Sequence, residues 1–394
     1  MIKRGQVLTF NKYVKCQDLT PFFKALDLGI EDRIKSLMNE GVERGVYPGA
    51  VLLVGHKGEN IFFQEVGHRS LAPGSDPMQK GTIFDLASLT KPLATSLAIM
   101  SMVDKEVVHL DQPLTDLLPE TVPEDKRNLT LRLLLCHSAG FPDWKPFYLE
   151  LNQFPLEERK KQLRQRLLKI PLTYRPGNEV LYSDLGFMML EWIVEESTGL
   201  PLNKFVDKYF YGPLSLKRTF FSNTECQLRF EEDQFAATED CPWRKRIMRG
   251  YVHDENAYVL GGYSSHAGLF GTAEEVYLLA DLLRRHFLGQ RADYLKPETV
   301  KTFFNRQNIV NGSTWALGWD TPSTQDSSSG RYFSTNSVGH LGFTGTSVWM
   351  DLEKDIIVVS LTNRIHPTRN NEKIKAFRPK IHDVIMEELG VAST

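Results

Sequence analysis

The chain has 394 residues, of which 41% are hydrophobic and 24% charged, so it can bury a substantial core and is neither collagen-like nor wholly disordered. Its 47 basic and 49 acidic residues leave a formal net charge of −2, and a chain so balanced has no overall field that would attract a nucleic-acid backbone or an anionic membrane. Since no apolar run approaches the roughly 20 residues that span a bilayer, we expect neither a nucleic-acid partner nor a membrane span.

The cysteines are scattered without the paired spacing of a zinc site or a disulfide framework, which favours reduced, buried thiols. They are Cys16, Cys136, Cys226 and Cys241. Polar residues after Lys3 and Arg4 interrupt any apolar signal segment. If the chain is complete, this predicts a cytoplasmic location; an exported protein whose signal has been removed is the alternative.

The first part of the chain reads as a helix followed by a hairpin. Residues 28–44 are predicted to be helical, and two apolar strands at 50–55 and 61–66 are separated by a turn that contains Gly58. Residues 88–103 carry an apolar stripe at helical spacing. Further helices are predicted at 129–136, 155–169, 185–198 and 202–209.

The C-terminal part returns to strands. After mixed signals at 212–262, Thr272 is predicted to begin a helix that runs to about residue 286, because Thr272 and Glu275 match a capping box. Runs of β-branched residues at 345–350 and 356–362 predict a second hairpin, and a helix is expected at 371–389.

Hairpins at both ends with helices between them indicate an α+β fold. One antiparallel sheet would be built from both chain ends and flanked by helices, with a helical domain inserted in the middle. We expect an N-terminal extension at 1–25, a sheet domain made of 26–85 and 262–394, and a mainly helical domain at 86–261. The active site would lie at the junction of the two domains.

Ser88 and Lys91 form a Ser-x-x-Lys motif at the start of a predicted helix. Residues three apart share a helix face, so the amine can reach the hydroxyl, and a lysine that has lost its proton can activate the serine as a nucleophile. The helix start also offers a backbone N–H that can stabilise an oxyanion. The pattern is common, however, and an N-cap serine beside a solvated lysine is the alternative.

Tyr182 and Asp184 follow a turn and precede an apolar helix. A phenol at this place can relay a proton between nucleophile and leaving group when nearby cations lower its pKa. The alternative is that Tyr182 belongs to the core and Asp184 caps the helix.

A glycine-flanked stretch contains His340, Gly342 and Phe343 just before a β-branched run. Such a strand lets a substrate backbone lie alongside it, and one of its N–H groups can be a second oxyanion donor. The alternative is a glycine-rich strand edge with a structural histidine.

The order of these three motifs closely resembles the serine β-lactamase and penicillin-binding-protein superfamily, particularly its class C β-lactamase-like branch of D-aminopeptidases, carboxylesterases and cell-wall peptidases. The resemblance implies a β-lactamase-like fold, an acylated nucleophile at Ser88, and proton transfer by Lys91 and Tyr182. It also implies an oxyanion hole of the Ser88 and Phe343 N–H groups, with neither metal nor cofactor. Substrate contacts would come from Asp184, His340, Gly342 and Phe343.

Two positions depart from the pattern of that superfamily. Asp184 stands where Asn is usual, and His340 stands where many members have Lys. Lysine offers a permanent positive charge to a substrate carboxylate, whereas histidine is mostly neutral at pH 7 and Asp184 adds a negative charge nearby. We therefore do not expect efficient penicillin hydrolysis; an ester, an amide, or an amine near Asp184 fits better.

Segments 252–257 and 361–369 resemble a sub-branch that contains muropeptide amidases and D-Ala-D-Ala carboxypeptidase-like proteins. The resemblance implies a serine hydrolase that forms an acyl-enzyme on an amide or ester, with a peptidoglycan-derived peptide as the favoured substrate. A carboxylesterase, a weak β-lactamase and a non-catalytic peptide-binding or scaffold protein are the alternatives. Because three consecutive residues cannot all face one ion, we interpret His253, Asp254 and Glu255 as an exposed polar loop at the cleft rim rather than a metal site.

Overall fold

The computed structural model describes residues 28–71 and 74–392, with side chains from Glu31 onward. The predicted extension at 1–25 and Cys16 lie outside the described residues. The α-helices are α1 Leu28–Glu43, α2 Leu97–Asp104, α3 Leu114–Leu117, α4 Leu131–Leu135, α5 Phe147–Leu151, α6 Leu156–Lys169, α7 Asp184–Thr198, α8 Leu202–Val206, α9 Glu255–Val259, α10 Ala273–Phe287, α11 Pro297–Phe304 and α12 Ile374–Glu388. The strands are β1 Gly49–His56, β2 Glu59–Ser70, β3 Asp76–Pro77, β4 Phe84–Asp85, β5 Phe220–Phe221, β6 Asp240–Cys241, β7 Arg246–Ile247, β8 Leu269–Gly271, β9 Ser337–Leu341, β10 Ser347–Asp351 and β11 Ile356–Thr362.

Six strands form one antiparallel sheet in the order β3, β2, β1, β11, β10, β9. Its centre joins the two chain ends, because β1 pairs with β2 on one side and with β11 on the other, where Ala50 lies opposite Thr362. The predicted α+β class, with a sheet built from both ends of the chain, is confirmed.

Both faces of the sheet are covered. In β1, Val51 and Leu53 belong to the large core that continues into the helices, whereas Leu52 and Val54 pack in a second core with α1 and α12. Strands that are buried on both faces carry nearly continuous apolar runs instead of an alternating pattern. This accounts for the unbroken burial of β11 and for the ease with which both central strands are recognised in the sequence.

Helix α7 lies at the centre of the helical part. It contacts α2, α3, α4, α6 and α8, and its residues 185–194 are buried without a break, as expected for a helix covered on all sides. Its N-cap is Ser183, whose hydroxyl accepts the Gly186 N–H. The alternative that Asp184 caps this helix is wrong, so the Asp184 carboxylate is available to other partners.

The segment that begins at Ser88 is not the regular helix predicted for 88–103. Ala87–Leu89 forms a 3₁₀ turn and Lys91–Ser96 a π-helical turn before α2 begins. All residues of the π-helical turn are buried. This part of the sequence therefore lacks the alternation of apolar and polar faces that would reveal the number of residues per turn. Short π-helical segments are rare and occur often at functional sites.

Two smaller predictions need correction. Thr272 caps α10 by accepting the Glu275 N–H, but the Glu275 carboxylate accepts from the N–H groups of Lys217 and Arg218 instead of closing the capping box. The reason is that the neighbouring loop gives this carboxylate two hydrogen bonds, whereas closing the capping box would give it one. Cys226 is exposed, unlike the buried thiols of Cys136 and Cys241.

Along the described ranges, each helix is too short or too polar to cross a membrane.

Candidate active site

A cavity of about 650 Å³ opens between the β9 edge of the sheet and the helical part. Its lining comes from both chain ends and from the middle of the chain. The predicted site residues that line it are Ser88, Tyr182, Asp184, His340, Gly342 and Phe343. Lys91 lies just beneath the lining and is 0% exposed, so the alternative of a solvated lysine is wrong.

Lys91 connects the serine of the first motif to the aspartate of the second. Its Nζ lies 3.1 Å from Ser88 Oγ, 2.6 Å from Asp184 Oδ1 and 3.4 Å from the backbone oxygen of His266. An ammonium group has three donors and no acceptor, so each of these oxygens accepts from it. The π-helical turn carries Lys91 and the start of α7 carries Asp184, and their packing brings the two charges together.

The Tyr182 ring lies against the same ammonium group. Lys91 Nζ is 4.7 Å from the ring centroid, and the Tyr182 hydroxyl interacts with both Lys91 and Ser88. Burial raises the pKa of Tyr182, and the Lys91 charge offsets this rise only in part. Tyr182 therefore carries its proton at neutral pH.

Lys91 is charged in this arrangement. Burial alone would lower the pKa of Lys91, but the Asp184 carboxylate and Tyr182 outweigh that effect and raise it. The free-base form of Lys91, which could activate Ser88, is therefore not the form favoured at neutral pH in the resting site. The reason is that the Lys91 ammonium group faces an anion, Asp184, and not a second cation.

Asp85 holds the turn that carries Ser88. Its buried carboxylate accepts the N–H of Ala87 at 2.9 Å and the N–H of His253 at 2.7 Å. Ala87 has a φ of 47°, a left-handed conformation that non-glycine residues seldom adopt. The hydrogen bond from Ala87 stabilises this strained backbone immediately before Ser88. Sequence reasoning missed Asp85, although a charged residue at the end of a short apolar strand was a usable signal.

The loop at 342–346 is fastened to the same turn. Thr344 Oγ1 donates to the Asp85 carbonyl at 2.7 Å, and Thr346 Oγ1 donates to the Leu86 carbonyl at 3.0 Å. Gly342 permits this close approach, because an added Cβ would lie 2.0 Å from Thr346 Oγ1 and 2.6 Å from the Leu86 oxygen.

Two residues of the cavity lining have backbone N–H groups without a hydrogen-bond partner among the described residues. Within the described part of the chain, neither the Ser88 N–H nor the Phe343 N–H donates a hydrogen bond. Phe343 is 47% exposed in the cavity, and its carbonyl is held by Arg364 Nε at 2.9 Å. Both N–H groups are therefore available for the oxyanion role that the family resemblance implies.

His340 is buried in β9, and its ring lies beside the rings of Tyr182 and Trp315. Its Nδ1 lies 2.9 Å from the Leu341 carbonyl and donates to it, which leaves Nε2 as a lone pair without a partner. Burial, followed by the Lys91 charge, lowers the pKa of His340 to about 3. The ring is neutral at pH 7, so it does not supply the positive charge that lysine gives in many related proteins.

Asp184, Asp254 and His266 bring three potential metal-ligand atoms within 4.8 Å of one another. His266 Nε2 lies 3.0 Å from Asp254 Oδ1, and these carboxylates raise the pKa of His266 against the opposing effect of burial. A metal ion here would face the Lys91 ammonium group, which already lies 2.6 Å from Asp184. These residues therefore fit a network of opposite charges better than a metal centre.

The segment 253–255 is not the exposed rim loop that we expected. His253 is 4% exposed and its Nε2 lies 3.0 Å from Glu239, while Asp254 and Glu255 line the cavity. Arg369 binds Glu239 and Glu255 together. Tertiary contacts with residues distant in sequence bury this polar segment.

A family model described as Beta-lactamase matches residues 34–380. The chain belongs to the Beta-lactamase family. It is 31% identical over 360 residues to the N-acetylmuramyl-L-alanine amidase of Bacillus subtilis (strain 168), a match that covers 84% of this chain and 80% of that protein. It is also 31% identical over 347 residues to the Escherichia coli (strain K12) protein named "Putative D-alanyl-D-alanine carboxypeptidase", over 81% of this chain and 79% of the other.

Solved structures share the Beta-lactamase fold with this chain. EstCE1, described as a hydrolase with promiscuous acyltransferase activity, has a TM-score of 0.68 at 23% identity and covers 89% of this chain and 98% of its own. The octameric penicillin-binding protein homologue from Pyrococcus abyssi has a TM-score of 0.67 at 19% identity, over 92% of this chain and 79% of its own. The predicted β-lactamase-like fold and the family resemblance are confirmed. The chain is accordingly a hydrolase of the Beta-lactamase family.

We expect Gly342→Ala to lower turnover by about a hundredfold, because the new methyl group displaces the loop that presents the Phe343 N–H and an error of about 1 Å has that effect. Gly186→Ala in α7 is the matched control, because the nearest atom of a neighbouring element, the Leu134 oxygen, lies 3.7 Å from the added Cβ. The two variants are compared by kcat/KM and by thermal unfolding. Full activity of Gly342→Ala would contradict the proposed loop position.

Proposed function

We propose that this protein is a serine hydrolase that forms an acyl-enzyme on Ser88 and cleaves an amide bond in a peptidoglycan-derived peptide. The contact of Ser88 Oγ with Lys91 Nζ at 3.1 Å, in a cavity that also holds the Tyr182 hydroxyl, is the observation that carries this proposal. The names of the amidase and carboxypeptidase relatives support an amide substrate.

In the proposed acylation, free-base Lys91 takes the proton from Ser88 as Oγ attacks the carbonyl carbon. The N–H groups of Ser88 and Phe343 stabilise the oxyanion. Tyr182 gives its proton to the leaving nitrogen as the C–N bond breaks, and it regains a proton from Lys91. Water then attacks the acyl-enzyme with the same groups acting in reverse, which releases the acid and restores Ser88.

Two arginines at another wall of the cavity support a substrate with a carboxylate. Arg378 is 6% exposed, lines the cavity and makes no hydrogen bond or ion pair with another described residue. Burial, followed by the charge of Arg364, lowers the pKa of Arg378 to about 10. Arg364 also lines the cavity, and its hydrogen bonds go to backbone carbonyls.

Most buried arginines face acidic partners, as Arg284 does with Asp281 and Asp355. A carboxylate between Arg364 and Arg378 would relieve both the burial of charge and the repulsion of like charges, and guanidinium groups bind carboxylates in a two-pronged geometry. Peptide substrates with a free carboxylate meet this requirement, whereas neutral esters do not. The arginine pair thus favours a peptide over a simple ester and replaces the charge that His340 lacks.

Ser88→Ala is expected to abolish hydrolysis of N-acetylmuramyl-L-alanyl peptides and of nitrophenyl esters, with unchanged thermal unfolding. Intact-mass spectrometry with a fluorophosphonate probe should show one adduct on the unmodified protein and none on the variant. Thr90→Ala, two residues further along, is a control for disturbance of the same turn that keeps the nucleophile. An adduct or normal turnover in Ser88→Ala would refute the acyl-enzyme, and a folded but inert parent protein would favour a peptide-binding role.

Asp184→Asn should shift the pH dependence of acylation. Since Asp184 raises the pKa of Lys91, the free-base lysine forms only as the pH rises toward that raised value. Removal of the anion lowers the pKa of Lys91, so the rising limb of the acylation rate should move to lower pH by about one unit or more. Stopped-flow measurement of the acylation rate between about pH 6 and 10 gives this rising limb directly. A limb that does not move in Asp184→Asn would show that Lys91 is not the base.

Arg378→Met should raise KM for a peptide with a free carboxylate by about tenfold or more and leave KM for the amidated peptide almost unchanged, because a charged hydrogen bond contributes about 1.5–3 kcal/mol. Arg127→Gln, an exposed arginine paired with Glu124, controls for loss of one positive charge. The ratio of the two KM values is the measurement. Equal effects on the acid and the amide would exclude the carboxylate contact.

A further inference from the structure

His137 contacts both sides of the segment that presents Tyr182. The Leu181 N–H donates to the His137 carbonyl at 3.0 Å, and the Ser183 N–H donates to His137 Nδ1 at 3.0 Å. The imidazole ring also lies 4.5 Å from the Tyr182 ring, centroid to centroid. One residue therefore fixes the backbone before Tyr182, the backbone after it and the ring itself.

The hydrogen bond from Ser183 requires a neutral imidazole. Because Nδ1 accepts a hydrogen bond, the proton of the neutral ring must be on Nε2. Burial, followed by the charge of Lys91, holds the pKa of His137 well below its usual range, so the accepting form is present at neutral pH. The ring is 2% exposed, which keeps water from competing for the Ser183 N–H.

His137 is itself held firmly. Its ring lies between Phe187, at 5.2 Å, and Trp315, at 4.4 Å between centroids. Its backbone has a φ of 54°, a left-handed conformation just after α4 that packing must maintain in a non-glycine residue. Strained backbone of this kind persists where the surrounding structure over-determines it, and it is frequent next to active sites.

We propose that His137 is a positioning residue that keeps the Tyr182 hydroxyl beside Ser88 and Lys91. It does not line the cavity, so it acts through Tyr182 and not on the substrate. The inference rests on the proposed role of Tyr182 as the group that protonates the leaving group. It adds a residue to which neither the sequence motifs nor the family match gives a role.

The dependence on the leaving group separates this role from simple stabilisation of the fold. An amide nitrogen must be protonated to leave, whereas nitrophenolate leaves without a proton. We expect His137→Ala to lower kcat for the peptide amide by about a hundredfold and kcat for a nitrophenyl ester by less than about tenfold. His137→Asn, whose side-chain oxygen can accept the Ser183 N–H, should recover at least part of the loss on the amide.

A double-mutant cycle with Tyr182→Phe is the deciding test. If His137 acts through Tyr182, His137→Ala causes no further loss on the amide once the phenol is absent. His286→Ala is the matched control, since His286 is also a fully buried histidine, bonded through Nδ1 to the Leu282 carbonyl, in α10. It should lower the unfolding temperature without changing the ratio of amide to ester rates.

Additive losses in the cycle, or equal losses on amide and ester, would overturn the positioning role. These outcomes are distinct from failure of the proposed function, in which the parent protein cleaves neither substrate and Ser88 takes no fluorophosphonate. If His137→Ala does not fold, His137→Asn and its double mutant with Tyr182→Phe give the same comparison.

Discussion

The ion pair between Lys91 and Asp184 is the interaction on which this site depends. A lysine that is 0% exposed cannot keep its charge without an anion in contact, and Asp184 provides one at 2.6 Å. Loss of either partner would leave an uncompensated charge in the interior. The pair joins the π-helical turn to the start of α7, and Ser88 lies in the 3₁₀ turn immediately before that π-helical turn, so the proposed nucleophile and base are coupled to the fold through one contact.

This pair also explains the charge distribution of the cavity. The charge of the Lys91 ammonium group is balanced by Asp184, and the nearby His340 ring is neutral. Lys91 and His340 therefore offer little positive charge to a substrate anion. Positive charge in the lining comes instead from Arg364 and Arg378, which have no carboxylate partner among the described residues. The proposed substrate, an amide within an anionic peptide, would place its scissile bond at Ser88 and its carboxylate at these two arginines.

Much of this arrangement can be predicted from the sequence, for identifiable reasons. Lys91 lies three positions after Ser88, and the order of the three motifs marks this pair through the family resemblance, while each central strand is recognised as a continuous apolar run. The charge state of Lys91 cannot be predicted in this way, because it depends on the distance between its side chain and that of Asp184. Asp184 lies 93 positions further along the chain, and the sequence does not fix that distance. Family membership identifies the three motifs, but it does not show how Asp184 and His340, the two departures from the usual pattern, change the charge of the site.

The remaining features arise only from tertiary packing. His137 follows the short apolar helix α4, and nothing local marks it as the acceptor for Ser183 or the neighbour of Tyr182. Arg378 looks like an ordinary surface residue of a C-terminal helix until the cavity beside it is seen. The π-helical turn is invisible because complete burial removes any periodicity from the sequence.

The protonation state of Lys91 is the most direct test of this account. Selective ¹³C labelling of lysine, with the Cε resonance of Lys91 assigned by its loss in Lys91→Arg, allows its pKa to be measured by NMR titration of the folded protein. The account predicts that Lys91 stays charged through neutral pH and titrates above the ordinary value for lysine. A Lys91 resonance that titrates below neutral pH, while Asp184 remains ionised, would contradict it.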